Sequence, residues 1–462
     1  MKRSDFLRLL GFSTALMAIS RRGLSKFNIG DDRVNRLPNI VIILSDDLGY
    51  EELSCQGAED LKTPHIDSIA RDGIRCTNAY SSGPVCAPTR AGLLTGRYQN
   101  RFGYETFTGS VQRQIEHDIG VPLDEIFFSQ ILQKAGYKTA IIGKWHLGHN
   151  EKYRPNRRGF DEFFGFLPGG HDYFKWNSDY HSTATGPIYR NAEPQKQPPK
   201  GKEYLTDVFS DEAVSFIERN RQRPFLLYIA YNAVHVPLQV PEKYTRDLPD
   251  DLCEDRRKVI GMTQAMDSGI GRVLDALRRN SIEKNTLVIF FNDNGGARNA
   301  PLSGSKGELK EGGIRVPFMV RWTGKMKPGQ IYDKPIISLD IFPTIVAAAE
   351  QKLPEDRKID GVNLLPYFID GKKASPHEYL FFRHLRDYAV RRGRFKLSIS
   401  GETGELRLYD LEKDIAEEND LSGDMPKVVK ELQRALRKWE SEMTPPQTER
   451  RILKSRLLHR AK

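Results

Sequence analysis

The chain has 462 residues, with 71 lysines and arginines against 61 acidic residues and a formal charge of +10. That length can bury a sizeable core in two domains or in one large α/β body with an appendage, and it excludes a small scaffold held by disulfides. The basic excess favours anionic partners, but the basic residues are scattered and no zinc-finger or RNA-binding signature is present, which sets nucleic acid aside.

The N-terminus carries Lys2, Arg3 and Arg8, then an apolar stretch from Leu9 to Ile19 and the small-x-small triplet Ala18-Ile19-Ser20. Residues 1–20 read as an export signal, with a run from Arg3 to Arg8 resembling a twin-arginine motif that lacks one arginine. Spanning a bilayer needs about 20 apolar residues, so no stable membrane anchor is expected.

Four short apolar runs follow, each ending abruptly in polar residues: Ile40–Leu44 before Ser45-Asp46-Asp47, and Ala140–Ile142 before Gly143-Lys144-Trp145-His146. The others are Phe225–Ile229, leading toward His235, and Leu287–Phe291 before Asn292-Asp293-Asn294-Gly295. Unalternating runs of this kind suit strands covered on both faces, as in a parallel sheet flanked by helices. Helices are expected over Ile126–Ala135, closed by Gly136, and along the face Val259, Met262, Met266, Ile270, Val273, Leu274 and Leu277. In open α/β sheets ligands bind beyond the carboxyl ends of the strands, where these runs place their polar residues.

After Pro343 the pattern changes. Tyr388–Val390 and Phe395–Ile399 read as a hairpin turning at Gly393, Leu406–Leu411 can add a strand, and Val428, Val429, Leu432, Leu436 and Trp439 mark a helix face. The expected fold is therefore a large, mostly parallel α/β sheet flanked by helices over residues 36–375, with a smaller C-terminal α+β subdomain over 376–444 and a basic tail over 445–462. The polar stretch 176–202 is a long surface loop able to border a ligand.

Four cysteines, Cys55, Cys76, Cys86 and Cys253, lack metal-type spacing. Residues from Thr89 onward look helical, so Cys86 falls at a helix N-terminus, where unpaired N–H groups favour anions. A small buried cysteine is the ordinary alternative. The pairs Asp46-Asp47 and Asp293-Asn294 end two predicted central strands, and three carboxylates with an amide oxygen are hard ligands that select Ca²⁺ or Mg²⁺ over zinc.

The segment Cys86-Ala87-Pro88-Thr89-Arg90, with Thr95-Gly96 downstream, resembles the signature of the type I sulfatases, members of the alkaline-phosphatase-like superfamily. Gly143–Gly148, Gly159–Gly165, Asn232–Leu238, Gly304–Gly307, Glu311–Pro317, Asp340–Thr344 and Leu408–Leu411 look like landmarks of the same family in family order, covering roughly Asn39 to Leu421. The resemblance implies that Cys86 is oxidised to formylglycine (3-oxoalanine) by a formylglycine-generating or sulfatase-maturating enzyme. It also implies that Asp46, Asp47, Asp293, Asn294 and residue 86 bind Ca²⁺. Arg90, Lys144, His146, His235 and Lys306 complete the implied catalytic set: a hydroxyl of the hydrated aldehyde attacks sulfur, His235 protonates the departing alcohol, and His146 takes a proton as sulfate leaves. With a divalent ion the cluster is net positive and attracts a sulfate monoester. His171, in a predicted active-site loop, and Arg315 are expected substrate contacts. The expected function is hydrolysis of a sulfate ester on an exported, periplasmic or secreted enzyme acting on a sulfated carbohydrate. The competing readings are a phosphomonoester or phosphonate hydrolase of the same superfamily, and a non-catalytic binder of sulfated glycans if Cys86 stays a thiol.

Overall fold

The computed structural model describes residues 37–105, 111–176, 186–195, 198, 201 and 203–447. The expected export signal and all but the start of the basic tail lie outside the described residues, and of the polar stretch 176–202, expected as a loop, the described part includes the strands Ile188–Arg190 and Glu193–Gln195.

The strands are β1 (Asn39–Ser45), β2 (Ile74–Cys76), β3 (Ala79–Tyr80), β4 (Lys138–Lys144), β5 (Glu162–Phe166), β6 (Ile188–Arg190), β7 (Glu193–Gln195) and β8 (Phe225–Ala230). They continue with β9 (Thr286–Asn292), β10 (Phe318–Arg321), β11 (Gln330–Tyr332) and β12 (Ile336–Ile337). Ten of them form one sheet in the order β11-β2-β10-β9-β1-β8-β4-β5-β6-β7, while β3 and β12 pair separately. The central pairs β9–β1, β1–β8, β8–β4 and β4–β5 are parallel. Antiparallel partners enter only toward the edges. The four apolar runs are thus β9, β1, β8 and β4, side by side at the centre, and the expected fold is met.

Their continuous apolar character has a direct cause. Ile40, Ile42 and Leu44 face one hydrophobic cluster with Leu226, Leu287, Leu93 and Phe128, while Val41 and Ile43 face a second with Leu227, Val288, Phe209 and Met266. Both sheet faces are covered, and each fully buried aliphatic side chain contributes about 1.5–3 kcal/mol. The predicted helices are present as Phe128–Lys134 and Glu254–Arg279, the first followed by Gly136 in the left-handed region.

At the C-terminal side, β13 (Leu380–His384), β14 (Asp387–Arg392), β15 (Phe395–Ile399) and β16 (Leu406–Asp410) form an antiparallel sheet in chain order. The helix Pro426–Glu440 buries Val429, Leu432, Leu436 and Trp439 in the same cluster as Leu397 and Leu408. β14 and β15 are the predicted hairpin, with Gly393 at φ 54° in its turn. β13 carries no clear period in the sequence and was not expected.

Candidate active site

The carboxyl ends of the four central strands deliver the candidate residues. Asp46 and Asp47 follow β1, Lys144 ends β4 with His146 two residues on, His235 lies shortly after β8, and Asp293 and Asn294 follow β9. Across these ends lies the helix Cys86–Thr95, which begins at Cys86 itself, three residues earlier than the sequence indicates. Gly96 ends it in the left-handed region, its N–H bonded to Gly92 O at 2.8 Å.

Arg90 locks this helix to the sheet. Its guanidinium reaches Asp293 Oδ2 at 2.8 and 3.0 Å, Asp46 Oδ2 at 3.5 Å and the carbonyl of Lys144 at 3.2 Å. Lys144 Nζ bonds Asp46 Oδ2, with both side chains fully buried. Lys306 stands on the open side: its ammonium lies 2.7 Å from Asp47 Oδ1 and 3.5 Å from Cys86 Sγ. His235 Nε2 is 3.7 Å from Asp47 Oδ2, and Asn294 Nδ2 donates to Asp47 Oδ1 at 2.8 Å. Residues from five separate stretches of sequence therefore meet around Cys86.

One ligand atom each from Asp46, Asp47, Cys86 and His235 falls within 4.8 Å of the others. Asp293 stands beside this group, its Oδ1 accepting the Asp47 N–H at 3.4 Å. The oxygens Asp46 Oδ1 and Asn294 Oδ1 are buried and accept no hydrogen bond. Orphaned hard oxygens among three carboxylates are a donor set that fits Ca²⁺ or Mg²⁺.

The charges are strongly perturbed. Burial and the neighbouring Asp46 push Asp293 up to about 7 against the pull of Arg90 and Lys144. Asp46, although desolvated, is held far below the carboxylate range by Lys144, His235 and Arg90. Burial and then Lys144 depress both His146 and His235. Burial also pushes the Cys86 thiol up to about 12, so an unmodified cysteine here carries its proton at neutral pH and is a poor nucleophile.

Two expected substrate contacts are corrected. His171 is fully buried, its ring nitrogens each 2.7 Å from a carbonyl oxygen, of Asp172 and Gly186, so it braces its own loop and offers no atom to a ligand. Arg315 donates to the carbonyl of Thr77 at 2.6 and 2.9 Å and lies 3.4 Å from Glu311. It belongs to a buried group in which Lys396 bonds Glu311 at 3.0 Å and Glu417 at 2.9 Å. Glu417 also accepts the Glu311 N–H at 2.6 Å, which ties the end of the Lys306 loop to the C-terminal sheet. Asn292, not assigned as a ligand, clasps the β1 loop through Leu48 and Ser45.

Sequence reasoning missed two backbone features. Asp47 and His146 both have φ 59°, in the left-handed region that non-glycine residues adopt at a cost of about 1–3 kcal/mol and that recurs at functional sites. It also missed Gly169, where an added Cβ lies 2.7 Å from Cε1 and Nε2 of His146. Gly169→Ala is therefore expected to displace the His146 ring and lower kcat by about tenfold to a hundredfold, since misplacement by an ångström costs that much. Steady-state kinetics beside an unchanged circular dichroism spectrum check it.

A mostly parallel sheet with a hard-cation donor set, two lysines, an arginine and a cysteine at a helix N-terminus defines a hydrolase of anionic esters. The family model described as Sulfatase matches residues 38–351, and that described as N-sulphoglucosamine sulphohydrolase, C-terminal, matches residues 305–442. The chain is 30% identical to the uncharacterized sulfatase YdeN of Escherichia coli (strain K12), over 89% of this chain and 87% of that one. It is 32% identical to the N-acetylgalactosamine-6-sulfatase of Mus musculus, over 84% of this chain and 76% of that one. Among solved structures it resembles Ps i-CgsB in complex with k-i-k-neocarrahexaose, with a TM-score of 0.83 and 34% identity, covering 89% of this chain and 94% of that one. The chain belongs to the sulfatase family and is a sulfuric ester hydrolase.

Proposed function

We propose that this sulfatase removes a sulfate ester from a carbohydrate, using a formylglycine made from Cys86 and a Ca²⁺, or in its place Mg²⁺, held by Asp46, Asp47, Asp293, Asn294 and residue 86. The observation that carries the reading is the position of Cys86: first residue of its helix, 3.5 Å from Lys306, and grouped with Asp46 and Asp47. A carbohydrate substrate is supported by the N-acetylgalactosamine-6-sulfatase relative and by the oligosaccharide complex of Ps i-CgsB.

When present, the hydrated aldehyde supplies one hydroxyl as nucleophile and a second through which sulfate is released, and the divalent ion supplies Lewis-acid charge. The remaining work falls to the chain. Lys306, 3.5 Å from residue 86, and Lys144, bonded to Asp46, bring positive charge to the site where the transferring sulfuryl group gains negative charge. Arg90 holds Asp293 and Asp46 in place and stays charged at every working pH. His235, on the open side next to Asp47, is the candidate donor of a proton to the departing alcohol oxygen: against the burial and Lys144 that depress it, Asp46, Asp47 and an anionic ester favour its protonated form. His146, its pKa depressed by partial burial and Lys144 and so kept neutral, is the candidate acceptor of the proton that leaves with sulfate release.

On this reading residues 36–375 form the catalytic domain and 376–444 a subdomain that braces the Lys306 loop. The enzyme is exported to the periplasm or beyond and depends on a maturating enzyme for its aldehyde. The test compares turnover of 4-nitrophenyl sulfate and 4-nitrophenyl phosphate by protein matured in its host. Sulfate is expected to be preferred, with chelator lowering both activity and melting temperature and calcium restoring both, because an ion bound only by the folded state stabilises it. A preference for phosphate, or a melting temperature indifferent to chelator and calcium, overturns the proposal.

A further inference from the structure

Beside the reaction centre lies a cavity of about 510 Å³, within the range of small-molecule sites. Asp47 and Lys306 line it, and Lys306 is also 3.5 Å from Cys86 Sγ, so a group leaving residue 86 on the open side passes into it. One wall is apolar, with Val236 and Leu238 on the segment that carries His235, and Val236 is 58% exposed. Such a surface suits the C–H face of a sugar ring.

Two guanidinium groups, Arg256 and Arg298, also line the cavity together with the carboxylates of Glu52 and Asp255, and they differ in how far they are spent. Arg256 is fully engaged: it bonds Glu52 Oε2 at 2.6 Å and both oxygens of Asp60 at 2.6 and 2.9 Å. Arg298 gives a single bond, 3.0 Å to Asp60 Oδ2, and its side chain is 48% exposed. Asp60 is thus shared between two cations, and Arg298, whose charge also acts on Glu52, keeps N–H groups beyond the one given to Asp60. Its main chain is firmly held. The Arg298 carbonyl accepts the Glu51 N–H at 3.4 Å and packs so closely on Gly49 that a Cβ there falls 1.9 Å from it. The adjacent Asn299 bonds Tyr50 N at 3.1 Å and Gly296 O at 2.7 Å. A planar donor fork on a fixed main chain, facing a cavity next to a sulfate-ester site, is the arrangement that binds an oxyanion.

We propose that Arg298 reads a second oxyanion, a sulfate ester or a carboxylate, on the carbohydrate whose ring rests against Val236 and Leu238. This rests on the sulfatase reading above and narrows its substrate class to carbohydrates with an anionic group besides the scissile sulfate.

The experiment measures competitive inhibition of 4-nitrophenyl sulfate turnover by three sugars. N-acetylgalactosamine 6-sulfate carries one anionic group, glucosamine-2-N,6-O-disulfate adds a second sulfate, and a chondroitin 6-sulfate disaccharide adds a carboxylate. At least one two-anion sugar is expected to inhibit wild type about tenfold better than the singly sulfated one, and which one identifies the second group. Arg298→Ala is expected to erase that preference without changing kcat for 4-nitrophenyl sulfate, and Arg298→Lys to keep part of it. Equal inhibition of wild type by all three sugars, or a preference that survives Arg298→Ala, overturns the proposal. Calorimetric titration of the same sugars into Cys86→Ala protein reads binding without turnover. Failure of the wild-type protein to turn over 4-nitrophenyl sulfate would therefore count against the formylglycine reading alone, and the Arg298 comparison is decided by binding.

Discussion

Replacing Cys86 with alanine is expected to leave a folded protein whose sulfate-ester turnover falls by about 10⁴-fold or more, the scale seen when a catalytic nucleophile is removed. The structural cost is small because the change trims one atom, the sulfur or the oxygen that replaces it in the aldehyde, from a site walled by polar groups. Lys306 keeps Asp47, and Arg90 keeps Asp293. Far-UV circular dichroism and urea unfolding are expected to match wild type closely, so the loss reads as chemistry. Activity near wild type would remove residue 86 from the reaction. A loss of activity accompanied by unfolding would assign Cys86 a packing role instead.

The second large effect lies four residues along the same helix. Arg90→Ala is expected to destabilise the protein by about 3–5 kcal/mol, because it strips the partner from a buried charge. Arg90 is fully buried and meets Asp293 twice, Asp46 once and the Lys144 carbonyl. Its removal leaves Asp293 to be neutralised by protonation, in a site where burial and Asp46 already push its pKa up to about 7. Lysine does not rescue the variant, since a single ammonium cannot span these partners as the guanidinium fork does. Urea unfolding of Arg90→Ala and Arg90→Lys checks this, with both expected to lose stability and turnover together. An Arg90→Ala protein as stable as wild type would contradict the ion network described here.

These two residues were legible in the sequence because they sit in one short, spaced motif. The four central strands were legible for a different reason: burial on both faces leaves continuous apolar runs that stop where the chain enters the site. The outer strands β2, β6, β7 and β11 are only three residues each, too short to show any period. Arg315 was misjudged because its surroundings are set by distant parts of the chain, and His171 because its own loop closes around it. Arg315 meets Thr77, 238 residues away, and His171 is fixed by carbonyl oxygens that no side-chain pattern encodes. Arg298 went unnoticed for the same reason as Arg315, since its spare donors become apparent only when Arg256 and Asp60 are seen beside it. Lys306 was found by motif, yet its contact with Asp47 bridges 259 residues and exists only in the folded sheet. The left-handed conformations of Asp47 and His146 left no trace in composition, because neither residue is a glycine.

The central claim is that the working residue at position 86 is an aldehyde made from Cys86. Mass spectrometry of the proteolytic peptide spanning Cys86 to Arg90, from protein produced in its own host, tests it most directly. The account predicts a residue with the mass of formylglycine that forms a hydrazone with a carbonyl-specific reagent, in proportion to specific activity. A fully active preparation in which that peptide carries only an unmodified thiol would contradict it.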